Sequence, residues 1–262
     1  MTAHPQTQSA SIQDFFRLDG RVAIVTGAGS GLGAGIAVAL AESGADVVIT
    51  GRRPDPLTSV AEDIRRLGRH ALPVPTDVTD PEQCDASVRA TMKEFGRVDV
   101  LVNNAGVTHT SPATRERPDD FRSVLDVNLL GSYWMAQACA RVMEPGSSIV
   151  NVASMLGLIA SSLPQAAYTS SKAGVIGLTR DLSQQWSGRK GIRVNSIAPG
   201  FVETDMIAQM TDQTRSEFLR GCPMGRMGTQ REIDAAVVFL AGPGASYITG
   251  STLAVDGGTS GH

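Results

Sequence analysis

The chain has 262 residues, 42% hydrophobic and 19% charged, enough apolar material for a buried core, which excludes disorder of the whole chain. Lys plus Arg number 23 and Asp plus Glu 26, a net charge of −3 with no basic block, which argues against nucleic acid or an anionic membrane as the main partner. Glycine stands out at 28 residues, about 11% against a usual ~7%, without the three-residue period of collagen.

The first twenty residues, MTAHPQTQSASIQDFFRLDG, lack the apolar core of a signal peptide. They read as a polar leader over residues 1–17, with the folded domain expected over 18–262. Beyond them, short apolar runs alternate with helical patterns. The runs are residues 21–26 (RVAIVT), 46–50 (DVVIT), 71–75, 98–103 (VDVLVN), 148–153 (SIVNVA), 192–197 (IRVNSI) and 252–255 (TLAV). Helical spacing fills residues 32–43, 57–67, 82–95, 119–143, 165–186 and 233–240. Seven β-branched runs alternating with helices predict βαβ units and a doubly wound, Rossmann-type α/β fold with a parallel sheet covered on both faces. No linker or internal repeat divides the chain, so one domain is expected.

Residues 145–171 carry no charge but are broken by Gly, Pro, Ser, Asn and Gln. That pattern fits a buried polar site and not a membrane span. Cys84, Cys139 and Cys222 form no CxxC or zinc spacing, as expected of thiols in a reducing cytoplasm. His4, His70, His109 and His262 form no cluster, so no metal site is predicted.

The chemistry is predicted at the strand ends. After the first run comes Thr26-Gly27-Ala28-Gly29-Ser30-Gly31-Leu32-Gly33. A glycine loop between a strand and a helix lets backbone N–H groups and the helix N-terminus reach a phosphate. Gly27 permits the turn, Gly31 close approach and Gly33 tight helix packing; the plainer alternative is a structural turn. In dinucleotide folds an acid about 20 residues further on holds a ribose 2′-OH, whereas Arg accommodates a 2′-phosphate. Here Arg52 takes that place, favouring NADP(H); the alternative is an exposed surface Arg. Asp77 and Val78 follow the third run, where a carboxylate can accept from an adenine amino group. Asn103, Asn104, Ala105 and Gly106 follow the fourth, small enough for a sugar to lie against the backbone, although Asn and Asp also cap turns.

Ser154 ends the fifth run, and Tyr168 and Lys172 lie four apart on the next helix, hence on one face. A free Tyr, pKa about 10, is a poor base near neutrality, and a neighbouring ammonium is expected to lower that value. The pair can then exchange a proton with a carbonyl or alcohol oxygen to which Ser154 hydrogen-bonds.

On TGAGSGLG (26–33), NNAG (103–106), Ser154, YTSSK (168–172), PGFVET (199–204) and VDGG (255–258), the chain resembles the classical short-chain dehydrogenase/reductase family from about residue 18 onward. Within that family it is similar to members of the 3-oxoacyl-[acyl-carrier-protein] reductase and gluconate 5-dehydrogenase types. The resemblance implies a catalytic tetrad of Asn128, Ser154, Tyr168 and Lys172. Asn128 would serve a proton relay through Lys172, which would also hold the nicotinamide ribose. Pro199, Gly200, Val202 and Thr204 would grip the nicotinamide end. The implied reaction moves a hydride between nicotinamide and a carbonyl or secondary alcohol. NADP-using members often carry a second basic residue where this chain has Ser30, so NAD(H) stays open beside NADP(H).

Met155, Leu156, Leu163 and Met206 are expected at the substrate, with Ile207 and Met210 nearby and a helical lid over 210–222. Their apolarity favours an apolar ketone or 3-oxoacyl substrate; the plainer reading of the same residues is core. The alternatives are a sugar or polyol dehydrogenase of the same family, an epimerase or dehydratase of the extended family, and a non-catalytic nicotinamide-binding regulator. The family also implies a homotetramer packed through residues 119–143 and 165–186.

Overall fold

The computed structural model describes residues 11–203 and 219–261. Its strands are β1 (Val22–Thr26), β2 (Asp46–Gly51), β3 (Ala71–Pro75), β4 (Val100–Asn103), β5 (Ser148–Val152), β6 (Arg193–Pro199) and β7 (Thr252–Val255). They form one sheet in the order β3-β2-β1-β4-β5-β6-β7, and every pairing is parallel. The helices are α1 (Gly31–Glu42), α2 (Pro54–Arg66), α3 (Pro81–Phe95), α4 (Pro118–Leu125), α5 (Gly131–Ala140), α6 (Ala166–Lys190) and α7 (Gln230–Ala241).

The apolar runs work as strands because alternate side chains feed two cores. Ala23 and Val25 pack with Ile36, Leu40, Ile64 and Val237 from α1, α2 and α7. Val22 and Ile24 point the other way, toward Val88, Met135, Cys139 and Leu182 from α3, α5 and α6. Ile24 pairs with Val48 on one side and Leu101 on the other. The winding reverses between β1 and β4, which opens a crevice at the carboxyl ends of those strands.

Helix starts follow local chemistry. Asp80 caps α3 by accepting from the Glu82 and Gln83 N–H groups, and Thr229 and Glu232 form a capping box on α7. Ile12–Phe16, within the predicted leader, forms a 3₁₀ turn, and Phe16 meets Phe239 with ring centroids 6.1 Å apart. That part of the leader is therefore packed on the fold.

One expectation is corrected. The helix predicted over 119–143 is not uniform. After α4 the segment Asp126–Leu130 widens into a π turn, in which the Gly131 N–H bonds to the Asp126 carbonyl five residues back. The inserted residue places Asn128 inward, 1% exposed. Among the described residues no helix is long and apolar enough to cross a membrane.

Candidate active site

The loop from β1 into α1 approaches the loop after β4 with no room for side chains. A Cβ on Gly27 would lie 2.8 Å from the Ala105 Cα. One on Gly33 would strike the Asn104 amide and lie 2.5 Å from the Gly27 carbonyl oxygen. Gly33 thus serves packing between loops, where helix packing was expected. Thr26 Oγ1 accepts from the Asn104 and Ala105 N–H groups at 3.0 Å each, and Asn104 Nδ2 donates to the Thr26 carbonyl at 2.9 Å. These bonds join the ends of β1 and β4. Gly31 has φ +55°, and a Cβ there would meet open space.

Ser30 makes no side-chain cap on α1, and the first turn holds no acid. The positive end of a 12-residue helix therefore faces the crevice with its N–H groups unclaimed by a cap. There a cavity of about 370 Å³ is lined by Gly27, Ser30, Leu32, Gly33, Arg52, Asp77, Val78, Asn104, Ala105 and Gly106. Asp77 Oδ1 accepts from the Thr79 N–H and hydroxyl at 3.0 and 2.8 Å, which orients the carboxylate. Arg52 and Arg53 both line the cavity beside Gly51. An uncapped helix N-terminus, a cradle that any Cβ would fill and two guanidinium groups fit a dinucleotide with an extra phosphate.

At the other end of the crevice, Ser154 follows β5 and opens the 3₁₀ turn Met155–Gly157, its Oγ accepting from the Leu156 N–H at 3.1 Å. A Cβ on Gly157 would sit 2.8 Å from the Lys172 carbonyl carbon, so this turn lies directly on α6. That contact brings Ser154 to Tyr168, with which it shares a hydrogen bond. Lys172 Nζ donates to the Val152 carbonyl at 2.8 Å and sits 5.7 Å from the Tyr168 ring centroid. Asn128 is clamped to Val107 in both directions. Its Oδ1 accepts from the Val107 N–H at 2.8 Å, and its Nδ2 donates to the Val107 carbonyl and to Ser171 Oγ at 2.9 Å each. Seen from Gly106, the Asn128 Oδ1 and Lys172 Nζ lie 3.4 and 3.5 Å from where a Cβ would be.

Burial dominates the electrostatics of this end. It pulls the Lys172 ammonium down to about 8. It pushes the Tyr168 phenol above its ordinary value, and the hydrogen bond with Ser154 opposes that rise. The lowering of Tyr168 by its ammonium neighbour, expected from the i, i+4 spacing, is not found here: desolvation raises the phenol and only the bond with Ser154 acts against it.

Ser154, Tyr168 and Lys172 line a cavity of about 460 Å³ with Met155, Leu156, Leu163, Pro199, Gly200 and Val202. Leu32, Asn104, Gly106 and Val107 line this cavity and the first one alike, so the two are halves of one crevice. Thr204, Met206, Ile207, Met210 and most of the expected lid lie outside the described residues. Among the described residues no group of three or more His, Cys, Asp or Glu could hold a metal ion.

A family model described as Enoyl-(Acyl carrier protein) reductase matches residues 27–260. The 3-oxoacyl-[acyl-carrier-protein] reductase of Vibrio harveyi is 40% identical over 243 residues, 92% of this chain and 98% of that protein. The chain belongs to the short-chain dehydrogenase/reductase family. As a dehydrogenase/reductase of that family it is an NAD(P)-dependent oxidoreductase acting on CH–OH and carbonyl groups. The Chlamydia muridarum 3-oxoacyl-[acyl-carrier-protein] reductase is 42% identical over 244 residues, 92% of this chain and 98% of that protein. A gluconate 5-dehydrogenase from Burkholderia cenocepacia J2315, solved in complex with NADP and tartrate, superposes with a TM-score of 0.90. It is 36% identical and covers 96% of this chain and all of that one.

Several lining residues of this dehydrogenase/reductase escaped the sequence reading. Arg53 joins Arg52 at the first cavity. Val107, Thr108, Val152, Gln165 and Phe201 line the second. Ser171 supports Asn128 from α6. Gln165 had a usable signal, because it lies three residues before Tyr168 and so one turn along the same face. Asn103 moves the other way: its Nδ2 donates to the Ser132 carbonyl and Asn151 Oδ1 behind the sheet, so it holds structure and not the crevice.

Proposed function

We propose that this dehydrogenase/reductase uses NADP(H) to reduce a neutral, largely apolar ketone or a 3-oxoacyl carbonyl. The observation that carries the reading is the second cavity. There buried Ser154 and Lys172 and half-buried Tyr168 face walls of Val107, Met155, Leu156, Leu163 and Val202, and Lys172 is the one cationic side chain among its described lining residues. Such walls favour an apolar body and provide no clamp for a carboxylate. The relatives named as 3-oxoacyl-[acyl-carrier-protein] reductases point the same way.

When bound, the nicotinamide supplies or accepts the hydride. Tyr168 Oη then gives a proton to the carbonyl oxygen or takes one from the alcohol. Ser154 Oγ donates to the same oxygen as charge develops. Lys172 holds the ribose and supplies positive charge near the phenol. Asn128 keeps the Val107 backbone and the neighbouring relay in place. Arg52 and Arg53 receive the 2′-phosphate, which supports NADP(H) over NAD(H). Free Cys84, Cys139 and Cys222 suit a cytoplasmic location, and we extend the family's homotetramer to this chain.

A panel of ketones, 3-oxo esters and polyols, followed by nicotinamide absorbance in both directions, tests the reading. Reduction of ketones and 3-oxo esters with NADPH is expected. Activity confined to polyols would overturn it in favour of the second reading, a gluconate- or polyol-type dehydrogenase, which the likeness to the Burkholderia cenocepacia structure supports.

A further inference from the structure

The stretch from Gly228 to Asp234 reaches both ends of the crevice. At Gly228 the main chain pairs with the loop after β6. The Gly228 N–H donates to the Phe201 carbonyl at 2.9 Å, and the Gly228 carbonyl accepts from the Glu203 N–H at 2.8 Å. Phe201 and Val202 line the reaction cavity. Two residues on, Gln230 opens α7 and turns its side chain toward α1. Its Nε2 donates to the Leu32 carbonyl at 3.2 Å and to Asp234 Oδ1, one turn along α7, at 2.7 Å. The amide fits because Gly35 has no side chain, and a Cβ there would overlap it. Leu32 stands in the first turn of α1 and lines both cavities.

Packing alone does not call for this arrangement. Ile36 and Leu40 of α1 share a core with Ile233 and Val237 of α7. Asp234 is 3% exposed. Burial raises its carboxyl above the ordinary value, the Gln230 bond and Arg231 act against that rise, and Glu42 adds to it. A carboxyl buried beside an apolar helix contact costs stability. What it adds is register, because a satisfied hydrogen-bond network fixes how one helix is turned against another.

We infer that Gln230 is a positioning residue: with Gly228 it forms a tie that sets the first turn of α1 against the loop after β6, and so the spacing between the pyrophosphate and nicotinamide ends of a bound dinucleotide. Gln230 lines neither cavity, so it acts through Leu32 and the main chain. A ligand held at both ends depends on the tie, and a ligand held at the phosphate end alone does not. The inference rests on the cofactor placement proposed above.

The test measures two Kd values by calorimetry on the cofactor-free protein, one for NADPH and one for adenosine 2′,5′-bisphosphate, which carries the adenosine half alone. Gln230→Met is close in size and lacks the amide. It should raise the NADPH Kd about 3–10-fold, the reach of one neutral hydrogen bond, and the bisphosphate Kd by less than about twofold. Asp234→Ala loosens the same amide, so it should shift the two values in the same sense, and it carries the test if the Met variant does not fold. The double variant should lose no more than Gln230→Met, because both changes act through one network. An equal loss on both ligands would mean that Gln230 only supports α1. An unchanged NADPH Kd, whatever the melting temperature does, would mean that it only packs the helices; either result overturns the inference. If the wild-type protein binds NADPH no more tightly than the bisphosphate, the cofactor placement itself fails and the inference falls with it.

Discussion

The two halves of the crevice are built from different materials. The half proposed for the cofactor phosphates is largely main chain, a glycine loop, an uncapped helix end and two strand ends that touch where side chains are missing, with Arg52, Arg53 and Asp77 beside it. The reaction half is made of side chains sent from four places, the loop after β4, the π turn, the turn after β5 and α6. Main-chain recognition tolerates changes of side-chain chemistry but not added volume. Side-chain chemistry has the opposite sensitivity. Variants at each end should therefore fail in different ways.

The largest separation is expected from Tyr168→Phe. Turnover should fall by about 10²–10⁴-fold, the usual worth of a placed acid–base group, while NADPH binding followed by its fluorescence stays close to wild type. Lost cofactor affinity would break the division between the halves. Gly33→Ala tests it from the other side. Its methyl has no space beside Asn104 and the Gly27 carbonyl, so NADPH affinity should fall at least ~10-fold and stability by about 1–3 kcal/mol. Arg52→Asp adds no volume to the loop and should change only the choice of cofactor. The NADP(H)/NAD(H) preference in kcat/KM should move by about 10–100-fold, the worth of a charge-assisted contact; an unchanged preference would remove Arg52 from the phosphate site.

The smallest effect concerns stability. Lys172 has a folded-state pKa of about 8 against its ordinary 10.5, so between those values the unfolded chain holds more protons than the folded one. Stability of the cofactor-free protein should then rise with pH through that window, with the burial penalty in full below about pH 8. Lys172→Met should abolish this slope. It should also make the inactive protein about 1–2 kcal/mol more stable at pH 7 in urea denaturation, once the lost bond to the Val152 carbonyl is set against the removed charge. A slope that persists in the variant would show that another group causes it, and a destabilised variant would show that the bond to the Val152 carbonyl outweighs the burial of the charge.

How much was legible beforehand follows the same division. Residues 26–33, 52, 77–78 and 104–106 sit at strand ends, and strand ends are visible from apolar runs alone. Tyr168 and Lys172 are one turn apart on one helix, so their proximity needed only helical spacing. Thr108, Gln165 and Ser161 meet through loops whose shapes no spacing rule specifies, and their contact surfaced only with the fold. The direction of the Tyr168 shift was misjudged because depth of burial is a property of packing, whereas the position of a neighbouring charge can be read from the chain. The π turn was hidden for a similar reason. Its residues, Asp126 to Leu130, include no Gly or Pro to mark a break, and what distinguishes them is the Val107 backbone that Asn128 reaches.

That turn also makes the helix sensitive to length more than to composition. Deleting one residue within 126–130 would restore an unbroken α-helix and rotate everything on one side of it by about 100° relative to the other. Met135 and Cys139 would swing out of the core they share with Ile24 and Leu101, or Asn128 would swing away from Val107. Substitutions along the same helix disturb one contact each, whereas a single in-frame codon loss there forces the chain to choose between its core and its site.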